Sequence, residues 1–136
     1  MDSLGLLKLS DKLNIPVYNF STKNKKAFCV QDAIAIDFAR IDTDRECKQL
    51  LSEELGHVIC GALYPLYSCG NTLFQNNIKR QERKALDYSL KLQIPLNELQ
   101  SAIKSCTDDY EIAERLDIDI TTLNEALQYY RRKGAL

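Results

Sequence analysis

The chain of 136 residues holds a single histidine, His57, so no motif that needs two histidines is present in its ordinary form. Net charge is almost absent too. At a formal -1, with 27% charged and 45% apolar residues, the composition excludes both disorder and the strongly basic class of nucleic-acid binders. The CxxC spacing is also missing. Five cysteines, Cys29, Cys47, Cys60, Cys69 and Cys106, are odd in number and scattered, which argues against a disulfide framework and against a zinc ribbon. No apolar run is long enough to span a bilayer, and the first residues, MDSLGLLKLSDKL, lack the basic start and continuous apolar stretch of a signal peptide. The expectation is a protein of the reducing cytoplasm with no membrane partner. Repeats and low-complexity segments are lacking as well, and the length suits one domain.

What is present divides into an N-terminal mixed part and a helical tail. Leucines at 4, 6, 7, 9 and 13 recur at helical spacing, and Asn14-Ile15-Pro16 should stop that helix, because proline disfavours helix in the residue before it. VYNF (17–20), AFCV (27–30) and the run AIAIDF after Gln31-Asp32 are short apolar segments between polar turns, read as a small, largely antiparallel sheet. Thr43-Asp44-Arg45-Glu46 has the form of a capping box and should open a helix running from about 44 to 63. Leu51, Leu55, Val58, Ile59 and Leu63 are its expected buried face. Residues 64–77 read as a connecting loop, followed by a helix over about 78–92, another opened by Pro95, and two more near 108–116 and 121–132. The fold class is therefore α+β. A core over 1–105 and a helical region resembling a helix-turn-helix over 106–136 are expected to share one compact domain.

The stretch SEELGHVICG carries the candidate chemistry. Residues four apart on a helix lie on nearly one side, so Glu53 and His57 can point at one atom, while Glu54 sits about 100° round from Glu53. This is the register of HExxH with glutamate at its first histidine. In HExxH the histidines bind zinc and the intervening glutamate is the general base. Gly56 costs about 1 kcal/mol relative to alanine inside a helix, which marks a place for a close neighbour. From the next helix Glu82 could project towards His57, with Ala85 three residues on allowing close approach. The competing reading is a solvated polar stripe, since Glu and His four apart are common. Cys60 could be an alternative soft ligand or plain core. Tyr64 and Tyr67 could offer a hydroxyl to a tetrahedral intermediate, although packing accounts for them better.

The chain resembles the ImmA/IrrE-type metallopeptidases, common in phages and mobile elements of bacteria. The resemblance rests on AIAID, LLSEELGHVICG and IKRQERKALDYS in that order, with LQIPLNELQSAI and the tail similar to that family's helical region. It implies a zincin-like core with the small sheet packed on a central metal-site helix. It also implies Glu54 as general base, His57 as a metal ligand and Glu82 as the third ligand. Glu53 stands where the usual pattern has histidine, and completes the expected set of Glu53, His57 and Glu82. The implied cofactor is a divalent ion, zinc or manganese, and the implied activity is endopeptidase cleavage of a phage or mobile-element repressor or similar regulator. A degenerate peptidase that docks on a regulator without cutting is the alternative.

The tail's Ala113, Leu116, Ile118 and Leu123 follow helix-turn-helix spacing, but DNA binding is not expected. Asp108, Asp109, Glu111, Glu114, Asp117, Asp119 and Glu125 outnumber the basic residues there, and acids repel phosphates. Packing or protein docking is the expected role.

Overall fold

A computed structural model describes residues 1–21, 24–60 and 72–136, residues 72–78 through their backbone. Helix α1 (Ser3–Lys12) starts where the Asp2 carboxylate accepts the Gly5 amide at 2.8 Å. It ends where Asn14 turns left-handed, φ 58°, and the Ile15 amide donates back to the Ser10 carbonyl at 2.8 Å. Pro16 then commits the chain to extended backbone.

Strands β1 (Val17–Asn19), β2 (Ala27–Val30) and β3 (Ala33–Ile36) form a three-stranded sheet in the order β1-β3-β2. The sheet is mixed and not largely antiparallel as the sequence suggested. β2 and β3 are antiparallel across the Gln31-Asp32 turn, with Phe28 opposite Ala35, while β1 runs parallel to β3, with Tyr18 opposite Ala35. The cause is the path of the chain. Leaving β1, it passes the central position to build β2 at the far edge, and the hairpin then returns β3 into the middle. The central position also explains the uninterrupted AIAI run of β3, in which Ile34, Ala35 and Ile36 are all buried.

Helix α2 (Asp44–Cys60) is capped by Thr43, whose hydroxyl accepts the Glu46 amide at 3.1 Å. Only half of the expected capping box forms. The Glu46 carboxylate is turned instead to the Lys26 ammonium at 2.6 Å. The buried face also differs from the expected one: Cys47, Lys48, Leu51, Ser52, Leu55 and Gly56 are buried, whereas Ile59 is exposed. Packing on both sides explains this, since α2 contacts α1 and the sheet on one side and α3 (Thr72–Gln93) along the other. Polar and small residues thus enter the buried stripe. Fully buried Leu51 and Leu55 each contribute about 1.5–3 kcal/mol by leaving water.

Helix α3 begins at Thr72, inside the stretch read as loop over 64–77, so 72–77 are helical; the rest of that reading lies outside the described residues. Leu92, with Tyr88 beside it, joins Leu6, Ile34, Ile36, Leu51 and Leu55 in the core between sheet and helices. Leu90 and Ile94 point into a second core with Leu99, Ile118, Leu123 and Tyr130 from α4 (Leu96–Ser105), α5 (Asp109–Leu116) and α6 (Ile120–Arg132). Pro95 stands at the N-cap of α4. Asp108 caps α5 by accepting the Glu111 amide at 2.9 Å, and Glu111 reaches back to accept the Thr107 amide at 2.9 Å. Asp117 ends α5 in the left-handed region, φ 52°.

The tail is tied to α2 by charge as well as by packing. Lys48, buried, donates to the Leu116 carbonyl at 2.9 Å. Arg45 meets Asp117 at 3.1 Å, Glu114 at 3.4 Å and Asp119 at 3.5 Å. Three of the acids of the tail are therefore paired with this arginine while staying more than half exposed. The fold is α+β, and no helix among the described residues is long and apolar enough to cross a membrane.

Candidate functional site

Helices α2 and α3 come closest at Gly56. A Cβ placed there would lie 2.5 Å from the Ala85 carbonyl oxygen, so only glycine fits. The close neighbour expected at Gly56 is the backbone of α3 itself, and it comes at Ala85, the small residue expected to allow that helix to approach. One side of this contact opens into a cavity of about 450 Å³. Glu53 and His57 line it from α2; Lys79, Glu82, Arg83, Ala85, Leu86 and Ser89 line it from α3. Helical spacing puts Glu53 and His57 on one side of α2, and 79, 82, 83, 86 on one side of α3.

The structure thus brings Glu53, His57 and Glu82 to the walls of one cavity. Glu54 is not among the residues lining it. It faces β2, where the Cys29 thiol is within hydrogen-bonding range of its carboxylate. Burial pushes the Cys29 thiol up from 9.0 to about 12, and the charge and hydrogen bond of Glu54 add to the rise. Cys60 does not line the cavity either; its thiol is directed at the Lys84 carbonyl at 3.7 Å. Tyr64 and Tyr67 lie outside the described residues.

Burial raises the Glu53 carboxyl above the usual carboxylate range; Gln49 opposes this by donating to Glu53 Oε1 at 3.3 Å, the Glu54 charge adds to it, His57 lowers it, and Glu125 on α6 raises it. A half-buried carboxylate with its charge disfavoured by desolvation is one that a cation would relieve. Two carboxylates and an imidazole facing one cavity are a donor set suited to a divalent ion of intermediate hardness. Among the described residues, though, no three His, Cys, Asp or Glu side chains stand as a preassembled cage. Binding therefore needs side-chain rotation, above all release of Glu53 from Gln49.

Lys79, Arg83 and Ser89, together with the flanking Gln49 and Glu125, were not found from the sequence. Their role depends on how α2, α3 and α6 are set against one another, which no local pattern encodes. No family model, no curated protein and no solved structure matches the chain.

Proposed function

We propose that the protein is a metal-dependent endopeptidase of the ImmA/IrrE type with a zincin-like core, acting in the cytoplasm on a repressor or similar regulator of a phage or mobile element. The observation that supports this reading is the closeness of α2 and α3 at Gly56 and Ala85, with Glu53, His57 and Glu82 around one cavity. The four described cysteines are free, as a reducing compartment requires.

In this reading Glu53, His57 and Glu82 hold a zinc or manganese ion. When bound, the ion supplies Lewis acidity, polarising the scissile carbonyl and acidifying water. Glu54, set one residue off the ligand stripe and facing β2 outside the cavity lining, would first have to rotate towards the ion, and would then take the proton and pass it to the leaving amine. The apolar faces of Ala85 and Leu86 exclude water from part of the cavity.

The test is paired calorimetric titration with zinc and manganese of the intact protein, His57→Ala, Glu82→Ala and Glu53→His. One equivalent is expected for the wild type, loss for the two alanine variants, and tighter zinc binding for Glu53→His, because oxygen donors favour zinc less than imidazole does. Glu54→Gln should keep the metal yet fail to cut a co-expressed repressor-class regulator, read by mass spectrometry. A docking module without catalysis is the second reading, favoured by the lack of a preassembled cage among the described residues. Absence of metal uptake by the intact protein, with regulator binding retained, would establish it in place of the first.

A further inference from the structure

We propose that Lys79 and Arg83 form a carboxylate-binding subsite in the α2/α3 cavity, and that the peptide accepted there carries an acidic side chain. The inference rests on the metallopeptidase reading, and names the substrate class for that site. Lys79 and Arg83 are four residues apart on α3 and both line the cavity. Like charges at that spacing repel each other on a helix. Local stability therefore gives no reason for the pair, and an anion between them would remove the repulsion.

Arg83 has one acidic neighbour along the helix, and that neighbour is committed elsewhere. Asp87 Oδ1 is 3.8 Å from Arg83 Nε but 3.1 Å from Arg132 on α6. The Arg83 side chain lines the cavity and is 54% exposed, so its forked donors are accessible to a ligand. A carboxylate can take two parallel hydrogen bonds from that fork, and the Lys79 ammonium adds a point charge beside it.

The charge balance points the same way. Glu53 and Glu82 set two negative charges against the two positive charges of Lys79 and Arg83, the imidazole aside. A divalent ion held by the two carboxylates consumes the negative charge. Among the described lining residues no further acid then answers Lys79 and Arg83, and Asp87 reaches Arg83 only at 3.8 Å from outside that lining, so substrate would bring the anion. Ala85 and Leu86 beside them suit a peptide in which the acid is next to an apolar residue.

The experiment measures fluorescence anisotropy of short fluorescein-labelled, C-terminally amidated peptides built from alanine and leucine. Each carries a central Glu pair, Gln pair or Lys pair, and the intact protein is saturated with manganese. The Glu peptide should bind roughly tenfold tighter than the Gln peptide and lose that advantage in high salt. The preference should vanish in Lys79→Gln/Arg83→Gln, weaken without being lost in Arg83→Lys, and shift towards the Lys peptide in Lys79→Glu/Arg83→Glu. Both substituted positions are exposed, and circular dichroism checks that each variant folds. Equal affinity for Glu and Gln peptides, or a preference that persists in the Gln double variant, overturns the proposal. A gain seen only with a free C-terminal carboxylate also overturns it, since the subsite would then read chain ends. The manganese titration keeps the two readings apart. Metal bound without acidic preference ends this inference alone; acidic preference without metal ends the metallopeptidase reading and leaves the subsite standing.

Discussion

A methyl group on Gly56 would stand 2.5 Å from the carbonyl oxygen of Ala85. Alanine at position 56 gains about 1 kcal/mol of helix propensity, but overpacking against backbone that cannot swing away costs about 1–3 kcal/mol or more. Gly56→Ala is expected to lower stability overall and to lower Tm by several degrees in a thermal melt. A higher Tm would mean that α2 and α3 are further apart than described.

Lys48 and Arg45 both tie α2 to the tail, and they should differ in worth. The Lys48 ammonium is buried, and its hydrogen bond to the Leu116 carbonyl is charge-assisted. Lys48→Ala should cost about 2 kcal/mol or more. The partners of Arg45 are more than half exposed, so Arg45→Ala should cost under about 1 kcal/mol, and less at high salt. Urea denaturation at two salt concentrations gives the ranking. A larger loss for Arg45 would mean that Lys48 reaches solvent.

Cys29 reports on where Glu54 points. Burial, then the Glu54 charge, hold its thiol at about 12, so little thiolate exists near neutrality. Removing the charge with Glu54→Gln lowers that value and should speed iodoacetamide alkylation of Cys29 roughly threefold or more. Peptide mapping assigns the modified cysteine. An unchanged rate would place Glu54 away from β2.

Several features were legible because the cause is local. Asn14-Ile15-Pro16 ends α1 through backbone conformation, and Thr43 caps α2 three residues before the amide it accepts. The stripe of Glu53 and His57 follows from helical spacing alone. Strand direction was not legible, since β1 is parallel to β3 only because β2 occupies the far edge. Nor was the start of α3 at Thr72, since Asn76 and Asn77 within it are weak helix formers. The buried face of α2 was misjudged at Ile59 because periodicity counts apolar residues, whereas Ser52 and Gly56 are buried by the nearness of α3. For the same reason the cavity's cations, Lys79 and Arg83, had to wait for the structure.

Alkaline unfolding should involve Tyr130. Its hydroxyl donates to the Ile94 carbonyl at 2.7 Å, and burial first, then Tyr129, push it from 10.0 to about 12. A raised folded value means that the folded state holds the proton more tightly. The stabilisation is complete below pH 10.0 and is lost as pH rises towards about 12. Cys29 acts in the same sense from pH 9.0 upward. Tyr130→Phe should cost about 1 kcal/mol at neutral pH and flatten the loss between those limits. A chemical-denaturation series across pH is the measurement, and an equally steep decline in the variant would exclude Tyr130 as its source.

Helix α3 joins the second core to the cavity, so a small tilt of the helix would be felt at Glu82. Its C-terminal end is clamped in the second core at Leu90 and Ile94, and Glu82 rides on the arm. The twelve residues from Glu82 to Ile94 span about 18 Å at the helical rise, so a tilt of about 5° at the clamp swings Glu82 by about 1.6 Å. Catalytic geometry is sensitive to displacements of about 1 Å. Leu123 and Ile118 belong to the core against which Leu86 of the cavity wall packs, so in the proposed reading substitutions there would retune the site, and suppressors of a damaged Glu53 or His57 should be sought among them.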